Sequence, residues 1–367
     1  MPEGRRILLI SPKLDLRGTS LYTVNLAIGL RRAGHQPHVI SDRGYFVAEL
    51  EEHSIPHSEL PLTGSLSHDL FRVRDLVDKI QAHEPDIIHF QTEILAPIAA
   101  IAARVMRRPY FLTAHSLHPR RMWLGSKHIQ RLITISQETR EALVNDARAP
   151  RHLISVIPNG VDVTPVAPPP EAPKEGEKKR APIVGALTRL EQVKGLSYFL
   201  ESARLILQKP NVPHPFFFVA GEGPDDSRLR RQLREKQLQE RVTISLPAID
   251  HRLLLSRYDV FVLSSLSEGL GIFLLEAMAL GKPVVAAGSG GVFSIIEDGV
   301  NGFLVPKGNA ERISERIIEL LGSEELRKRL GRAAREFVRQ KYPLESMIEK
   351  TLEVYGIPAA VEQPASS

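Results

Sequence analysis

DVFVLSSLSEGLGIFLLEAMALGKPVVAA, residues 259–287, is the stretch that decides the fold of this chain. It begins with a short apolar run typical of a buried strand and passes through glycines into an apolar segment of helical length, Phe273–Leu280. It ends in a second apolar run, PVVAA, which Gly288 follows. A strand, a helix and a strand in this order are typical of a βαβ unit, in which helices cover a parallel sheet. The stretch therefore predicts an α/β fold.

The same alternation extends over almost all of the 367 residues. Further strands are predicted at RRILLIS, HVIS, DIIHF, YFLTAH, LITIS, PIVGAL, PFFFVAG and VTISL. Further helices are predicted at Thr19–Arg32, Val73–His83, Ile94–Met106, Gln137–Asp146 (capped by Ser136), Leu196–Gln208, Asp226–Gln239 and Ala310–Gly322. Since parallel strands need helical crossovers, two Rossmann-like halves are the most economical interpretation.

A proline-rich, charged segment separates the two halves. Residues 163–181, VTPVAPPPEAPKEGEKKRA, have no apolar periodicity, which is typical of a linker. The length also favours two domains, at roughly 150 residues each. We therefore predict an N-terminal domain over 1–162, a C-terminal domain over 182–342, and a final helix and tail over 343–367.

Composition excludes several classes of protein. Hydrophobic residues make up 43% and charged residues 25% of the chain, as in ordinary globular proteins rather than disordered or fibrous ones. The formal net charge is +5, and the absence of cysteine excludes disulfides, thiolate nucleophiles and cysteine-bound metals. No stretch approaches the roughly 18 apolar residues of a membrane span, and the start lacks a signal-peptide core. We therefore expect a cytoplasmic protein.

The strongest chemical signal follows the strand DVFVLSS. Glu268, the Gly269-Leu270-Gly271 turn and a helix carrying Glu276 come in succession. Glycines let the backbone approach a ligand, and the first amides of a helix are unpaired donors that suit a diphosphate. A carboxylate accepts two hydroxyls at once, which suits the vicinal hydroxyls of a sugar or a ribose. The alternative is that Glu276 is a structural buried acid and Glu268 an ordinary acid of a first helical turn.

The whole pattern, Glu-Gly-x-Gly-x4-Glu-Ala-x-Ala-x-Gly-x-Pro-Val-Val-Ala, resembles that of the family-four retaining glycosyltransferases of the GT-B fold. The resemblance covers nearly the full chain. It includes RGTSLYTVNLAIGLRRAGH (17–35), ITISQETREAL, VIPNGVD (156–162), GALTRLEQVKG (185–195), VAGEGP (219–224) and EDGVNGFLVP (297–306). It implies two Rossmann-like domains facing across a cleft, the first for the acceptor and the second for a nucleotide sugar.

The resemblance also implies roles for individual residues. Arg189 and Lys194 would neutralise the donor diphosphate, Glu268 would hold sugar hydroxyls, and Glu276 would hold the ribose. His115, at the end of YFLTAH, would lie near the reacting sugar, although a structural role for it is a serious rival. Donor contacts are further implied for Gly18, Gly221, Gly223, Gly269, Leu270, Gly271 and Ile272. His89 ends DIIHF in the same way and is expected to be structural.

The implied reaction is a retaining transfer from a nucleotide-diphosphate sugar, with a UDP-sugar slightly favoured, to a glycan or glycolipid of the cell envelope. We expect no cofactor and no metal, since no Asp-x-Asp pair ends a strand and Arg189 with Lys194 supply positive charge. Two alternatives remain open. One is a nucleotide-sugar epimerase on the same fold, and the other is a non-catalytic protein that binds a nucleotide sugar or a glycan.

Three positions depart from the family pattern and motivate the non-catalytic alternative. Arg17 precedes Gly18 where the family usually has two glycines, so it would either clash with a phosphate or bind an anionic group on the acceptor. Ser294 stands where a glutamate is common, and Leu246 where a glycine is common.

Residues 94–137 contain no Asp or Glu. Their basic residues are Arg104, Arg107, Arg108, Arg120, Arg121, Lys127 and Arg131, and Trp123 lies among them. Basic residues beside apolar ones suggest an anionic membrane or an acidic glycolipid acceptor, with contacts from Arg120 and Arg121. The alternative is a solvated face with Trp123 packed inside the fold. We expect no nucleic-acid binding, because aromatic residues are not interleaved with the basic ones.

Overall fold

The computed structural model describes residues 4–62, 70–117, 127–166, 180–210, 212 and 214–358. These residues form two compact units. The first unit comprises the described residues of Met1–Asp15, Thr19–Gly160 and Leu344–Ser367, and the second those of Leu16–Gly18 and Val161–Pro343. In the described part of the chain, no helix is both long and apolar enough to span a membrane.

The first unit contains a seven-stranded parallel sheet in the order β3-β2-β1-β4-β5-β6-β7. Its strands are β1 (Arg6–Lys13), β2 (Gln36–Asp42), β3 (His57–Glu59), β4 (Ile87–Phe90), β5 (Tyr110–Ala114), β6 (Ile129–Thr134) and β7 (Ile154–Val156). Its helices are α1 (Gly18–Arg32), α2 (Val47–Glu52), α3 (Leu70–His83), α4 (Ala96–Met106), α5 (Gln137–Asn145) and, from the end of the chain, α12 (Leu344–Tyr355).

The second unit contains a six-stranded parallel sheet in the order β10-β9-β8-β11-β12-β13. Its strands are β8 (Ile183–Leu187), β9 (Phe216–Ala220), β10 (Val242–Ser245), β11 (Val260–Leu263), β12 (Val284–Gly288) and β13 (Phe303–Pro306). Its helices are α6 (Leu196–Leu207), α7 (Asp226–Glu235), α8 (His251–Ser256), α9 (Ile272–Ala279), α10 (Ala310–Gly322) and α11 (Glu324–Lys341). The predicted parallel α/β fold is confirmed in both units.

The strands are buried on both faces, so their residues form continuous apolar runs that can be recognised in the sequence. All four residues of β4 and of β11 are buried. The predicted cap of α5 is confirmed, because the Ser136 hydroxyl accepts the Thr139 amide at 3.1 Å. Several short elements were not predicted, namely α2, α8, β3, β7 and β13.

Most predicted helices differ from the observed ones by one to four residues at an end, and two of these differences have a local structural cause. The helix predicted to reach Gln239 ends at Glu235, because Gln237 adopts a left-handed φ of +55°. The amides of Gln237 and Leu238 then bond back to the carbonyls of Arg234 and Leu233, which is a Schellman motif. The helix predicted from Ile94 begins as a 3₁₀ turn, Glu93–Leu95, and becomes α-helical only at Ala96.

The final helix α12 belongs to the first unit and is anchored there by His89. The fully buried His89 ring is hydrogen-bonded through Nδ1 to the Tyr355 hydroxyl at 2.6 Å and through Nε2 to the Thr113 hydroxyl at 2.8 Å. Gly29 of α1 leaves room for Ile348, since a Cβ there would lie 2.3 Å from the Ile348 side chain. His89 is therefore structural, as predicted.

Burial of His89 predicts that the first unit loses stability in acid. Burial lowers the pKa of His89 from 6.5 to about 3, so between these pH values the unfolded chain binds a proton that the folded chain does not. Stability from this group is full above the unfolded pKa and falls as the pH drops, by at most about 1.4 kcal/mol per pH unit. Chemical denaturation at about pH 7 and about pH 5 should show a smaller difference for His89→Gln than for the wild type.

His38 serves as the control for this assignment. Its pKa is also lowered, to about 4, mainly by burial, and it lies on β2 away from α12. His38→Gln should reduce the acid sensitivity without loosening α12, which hydrogen exchange of α12 amides would report. Equal acid sensitivity in the wild type and His89→Gln would contradict the assignment.

Candidate functional site

The candidate site of the second unit lies where the direction of its chain connections reverses. β8 and β11 are neighbours in the sheet, but β8 continues to β9 on one side and β11 to β12 on the other. In an open parallel sheet this arrangement leaves a crevice at the carboxyl ends of the two strands, where ligands bind. Arg189 and Lys194 follow β8, and Glu268 to Gly271 follow β11. The sheet order therefore brings the two predicted groups of residues to one edge.

Lys194 and Glu268 form an ion pair at this edge. The Lys194 Nζ lies 2.8 Å from Glu268 Oε2, and the Ser265 hydroxyl donates to the same oxygen at 3.0 Å. The side chains are 21% and 14% exposed, so the pair is largely screened from water but still reachable by a ligand. An ammonium has three donor hydrogens, so Lys194 can keep this contact and still donate to a phosphate.

Backbone contacts fix the two loops that carry this pair. The Ser264 hydroxyl donates to the Lys194 carbonyl at 2.9 Å, and the Leu266 amide donates to the Val193 carbonyl at 2.7 Å. Gly195 has a φ of +63°, and a Cβ there would lie 2.0 Å from the Ser264 carbonyl oxygen. Glycine at this position therefore lets the loops after β8 and β11 meet.

Arg189 lies in the same loop, partly exposed and paired with Glu191. The loop after β9 supports it, since the Leu190 amide donates to the Glu222 carbonyl at 2.8 Å. A Cβ at Gly221 would lie 1.9 Å from the Thr188 carbonyl oxygen, and one at Gly223 would lie 2.4 Å from that of Leu190. These two glycines thus have a backbone role in the structure, and their contact with a donor stays a prediction.

The turn before α9 presents backbone amides to the same edge. Gly271, with a φ of +87°, is the N-cap residue of α9, so Ile272 begins the helix. The Leu274 amide donates to the Gly271 carbonyl at 3.0 Å, so the amides of Ile272 and Phe273 are those of the first turn without an intrahelical acceptor. The helix dipole makes that end positive. The Gly291 amide donates to both the Glu268 and the Gly269 carbonyl, at 3.3 and 3.2 Å, and so helps to fix the turn.

Glu276 is buried inside α9 and paired with an arginine that the sequence analysis did not single out. Its side chain is 1% exposed, and its Oε2 lies 3.3 Å from Arg252 Nε. Arg252 Nη2 donates to the carbonyls of Asp162 and Thr164, both at 2.8 Å. Arg252 is carried by the short, unpredicted helix α8, which Asp250 caps by accepting the Leu253 amide. The ribose contact of Glu276 stays a prediction beside its structural alternative.

The first unit places its candidate residues at an equivalent reversal, between β1 and β4. Gln91 to Glu93 follow β4, and His115 follows the next strand, β5. Arg17 and Gly18 follow β1 in the chain but are part of the second unit. Glu93, which the sequence analysis missed, is 6% exposed. Its two carboxylate oxygens accept the backbone amides of His115 and Ser116, each at 3.0 Å. A buried carboxylate thus fixes the loop that carries His115.

The contacts of His115 define which ring nitrogen can act on a ligand. Its Nε2 lies 3.0 Å from the Gln91 carbonyl oxygen, which can only accept, so Nε2 carries the proton. Burial lowers the pKa of His115, although the nearby Glu93 carboxylate opposes this shift. The ring packs edge-on against Tyr22, with centroids 4.9 Å apart, and burial raises the pKa of Tyr22 to about 12. In a neutral His115 with the proton on Nε2, Nδ1 is a hydrogen-bond acceptor.

The remaining predicted positions have the following places. Leu246 is exposed after β10, and the Ser294 hydroxyl donates to the Gly291 carbonyl at 2.7 Å. Arg120, Arg121 and Trp123 lie outside the described residues. Within the described part of either unit, no three His, Asp or Glu side chains converge as a metal site would require. Independence from metal stays a prediction.

Two family models match this chain in succession. Residues 16–164 match Glycosyltransferase Family 4, and residues 169–337 match Glycosyl transferases group 1. The chain belongs to the family-four glycosyltransferases. The resemblance based on the two-glutamate pattern is thereby confirmed, and so is the expectation that the protein is a glycosyltransferase.

Named relatives of this glycosyltransferase support the assignment. The putative glycosyltransferase EpsD of Bacillus subtilis is 27% identical over 83% of this chain and 84% of its own length. Alpha-maltose-1-phosphate synthase of Mycolicibacterium smegmatis is 26% identical over 82% of this chain and 86% of its own. Poly(ribitol-phosphate) alpha-N-acetylglucosaminyltransferase of Staphylococcus aureus is 30% identical over 50% of this chain, which spans only 37% of that enzyme.

Solved structures confirm the fold class. The structure of Anabaena Alr3699/HepE in complex with UDP and glucose is similar over 96% of this chain and 99% of its own, with a TM-score of 0.78 and 24% identity. Like other similar structures, it is a GT-B glycosyltransferase with two Rossmann-like domains. The fold class predicted from strand and helix alternation is therefore confirmed.

Gly291→Ala should damage the turn before α9. The added Cβ would lie 2.3 Å from the Gly269 carbonyl oxygen, which is backbone and must move away. We expect nucleoside diphosphate affinity to fall at least about tenfold, the equivalent of 1.4 kcal/mol, in isothermal titration. Gly322→Ala is the matched control, because a Cβ at Gly322 meets nothing within 4 Å. Equal affinities for the two variants would refute the role given to this turn.

Arg252 and Glu276 should be energetically coupled. Removing Arg252 leaves a buried carboxylate, which typically costs about 3–5 kcal/mol of stability, whereas removing Glu276 leaves Arg252 with Asp162 as its remaining acidic partner at 3.8 Å. The double variant Arg252→Gln/Glu276→Gln should therefore be less destabilised than the sum of the single variants, by about 1–3 kcal/mol in a double-mutant cycle. The exposed pair Arg312–Glu315 provides the control and should couple by less than about 1 kcal/mol. Additive effects at Arg252 and Glu276 would rule out the pairing.

Proposed function

We propose that this glycosyltransferase moves a sugar from a nucleotide-diphosphate sugar, with a UDP-sugar favoured, to a glycan or glycolipid acceptor with retention of configuration. The observation that carries the proposal is the Lys194–Glu268 pair beside the Gly269–Gly271 turn. The pair lies at the ends of β8 and β11, where the order of the strands in the second sheet reverses. One edge of one sheet thus offers a cation, a carboxylate and the first amides of a helix. A diphosphate joined to a sugar needs all three.

The diphosphate, the sugar and the ribose of the donor would each contact different groups of the site. Negative charge grows on the departing phosphate in the transition state, so Arg189, Lys194 and the amides of α9 would stabilise that state more than the ground state. Glu268, held by Lys194 and Ser265, would accept sugar hydroxyls. Glu276 would accept the ribose hydroxyls, and the Nδ1 of His115 a hydroxyl of the transferred sugar.

Retention and independence from metal are further parts of the proposal. The carboxylate nearest the predicted sugar position, Glu268, is engaged by Lys194, which makes it a poor nucleophile. Departure and attack on one face of the sugar, through an oxocarbenium-like state and aided by the leaving phosphate, need no such nucleophile. Arg189 and Lys194 supply the positive charge that a divalent ion would otherwise bring.

The named relatives support the substrate classes. The similar structure of Anabaena Alr3699/HepE is a complex with UDP and glucose, which favours a UDP-sugar for this chain. The Staphylococcus aureus relative is named for a poly(ribitol-phosphate) substrate, which favours a glycan acceptor. We further propose that the protein is cytoplasmic and acts in cell-envelope glycan synthesis. Because glycolipid acceptors lie in membranes, it would be in peripheral contact with an anionic membrane.

The donor class can be tested by thermal stabilisation with UDP, GDP, ADP and CMP. One diphosphate should raise the melting temperature of the wild type. In Glu276→Gln, loss of a charged hydrogen-bond partner should weaken its binding by about 1.5–3 kcal/mol, or roughly ten- to a hundredfold. Glu315→Gln, at an exposed position, should bind as the wild type does. Unchanged affinity in Glu276→Gln would exclude the ribose contact.

Product analysis separates this proposal from its two alternatives. A transferase should release the nucleoside diphosphate in step with glycosylation of an added acceptor. Conversion of the nucleotide sugar without any acceptor would identify an epimerase. Binding without turnover on any acceptor tried, including poly(ribitol-phosphate) and glycolipid extracts, would favour the non-catalytic alternative.

A further inference from the structure

Helix α4 of the first unit is apolar on the face that it turns to solvent. Ile101 and Val105, one helical turn apart, are 45% and 62% exposed, and Ile94, in the turn that leads into the helix, is 61% exposed. The opposite face carries Ile98, Ala99, Ala102 and Ala103 into the core of the unit. A surface helix normally has polar residues on its outer face, so a second apolar face indicates a contact outside the unit.

This exposed apolar surface is concentrated at one place. Nine large hydrophobic side chains are exposed among the residues that the structure describes, and three of them lie within the twelve residues from Ile94 to Val105. Pro97 is exposed between them. We call the α4 face the set Ile94, Pro97, Ile101, Arg104, Val105 and Arg107.

The charges on the α4 face are all positive. Arg104 and Arg107 are exposed, and neither forms an ion pair with any residue in the described ranges. The neighbouring helix α3 adds Arg72, Arg74 and Lys79 against Asp75 and Asp78, and Asp78 is already paired with Arg74 at 3.7 Å. The surroundings therefore do not neutralise the two arginines.

We propose that the α4 face docks this glycosyltransferase on an anionic lipid bilayer. Ile94, Ile101 and Val105 enter the boundary between headgroups and acyl chains, while Arg104 and Arg107 contact lipid phosphates. Charge complementarity selects this occupant over a second copy of the chain, because a symmetric contact would place the same arginines against each other. The inference deepens the membrane part of the proposed function and does not depend on sugar transfer.

Vesicle flotation tests the inference directly. The wild type should bind vesicles of equal parts phosphatidylcholine and phosphatidylglycerol at low salt, bind phosphatidylcholine alone much more weakly, and lose binding as salt is added. Each basic residue near an anionic surface is worth roughly fivefold in affinity, so Arg104→Glu/Arg107→Glu should reduce binding by at least roughly thirtyfold. Ile101→Ser/Val105→Ser should reduce it while leaving its salt dependence in place.

Matched controls keep the test specific. Arg332→Glu/Arg335→Glu reverses two exposed arginines with the same spacing on α11, and Val300→Ser changes an exposed aliphatic residue elsewhere, so both should bind as the wild type does. Circular dichroism and UDP-dependent stabilisation of each variant show whether the fold and the nucleotide site are intact. If the wild type binds vesicles but is not stabilised by UDP, that result counts against the transferase proposal and not against docking.

Three results would overturn the inference. The first is that the wild type does not float with phosphatidylglycerol vesicles at low salt. The second is that the α11 reversal reduces binding as much as the α4 reversal, which would mean that net charge alone is responsible. The third is self-association of the wild type in sedimentation velocity that Ile101→Ser/Val105→Ser abolishes, which would assign the α4 face to a second copy.

Discussion

The close approach of two backbone segments at Gly195 is the constraint on which the candidate donor site depends. The loop after β8 and the loop after β11 meet there with no room for a side chain, and the Ser264 hydroxyl and the Leu266 amide join them. Lys194 and Glu268 are 74 residues apart in the chain, yet this contact places their charged groups 2.8 Å apart. Their geometry therefore follows from the pairing of β8 with β11 and from one glycine, so little side-chain freedom has to be lost when a ligand binds.

In the first unit, a buried carboxylate holds the loop that carries the candidate residue. That residue, His115, also follows a strand beside the point where the strand order reverses, but in the described part of its loop no close glycine contact holds it. Instead Glu93 accepts two consecutive backbone amides, and the Gln91 carbonyl fixes the proton on the Nε2 of the imidazole. Because Nε2 carries the proton, the Nδ1 of the imidazole is the ring atom that can accept a hydrogen bond. Each unit thus has its own parallel sheet, and the two sites differ in how they are held: by ion pairs and a glycine contact in the second unit, and by a buried acid in the first.

Much of the fold could be predicted from the sequence because buried parallel strands are continuous apolar runs and the helices between them are amphipathic. The positions after β8 and β11 could be predicted for the same reason, since strand ends are visible in the sequence. Arg252 and Glu93 could not. Arg252 lies on a helix of six residues, too short to show periodicity, and meets Glu276 only through packing of α8 on α9. Glu93 accepts hydrogen bonds from backbone amides 22 and 23 residues away. Every residue except proline has such an amide, so the sequence does not show which amides a carboxylate will bind.

The pairing of Glu276 with Arg252 bears on what Glu276 is for. Removing two charges from water is costly, and well-packed apolar residues of similar volume generally serve a fold as well or better. Stability alone therefore does not explain an acid that is 1% exposed in a helix otherwise filled by apolar side chains. An ionised carboxylate held by a guanidinium is, however, a fixed acceptor at the end of the sheet where the diphosphate would lie. Arg252 places its Nε beside this carboxylate and donates through Nη2 to two carbonyls, so its guanidinium is itself held in position. The ribose contact proposed for Glu276 would turn this unfavourable burial into binding energy.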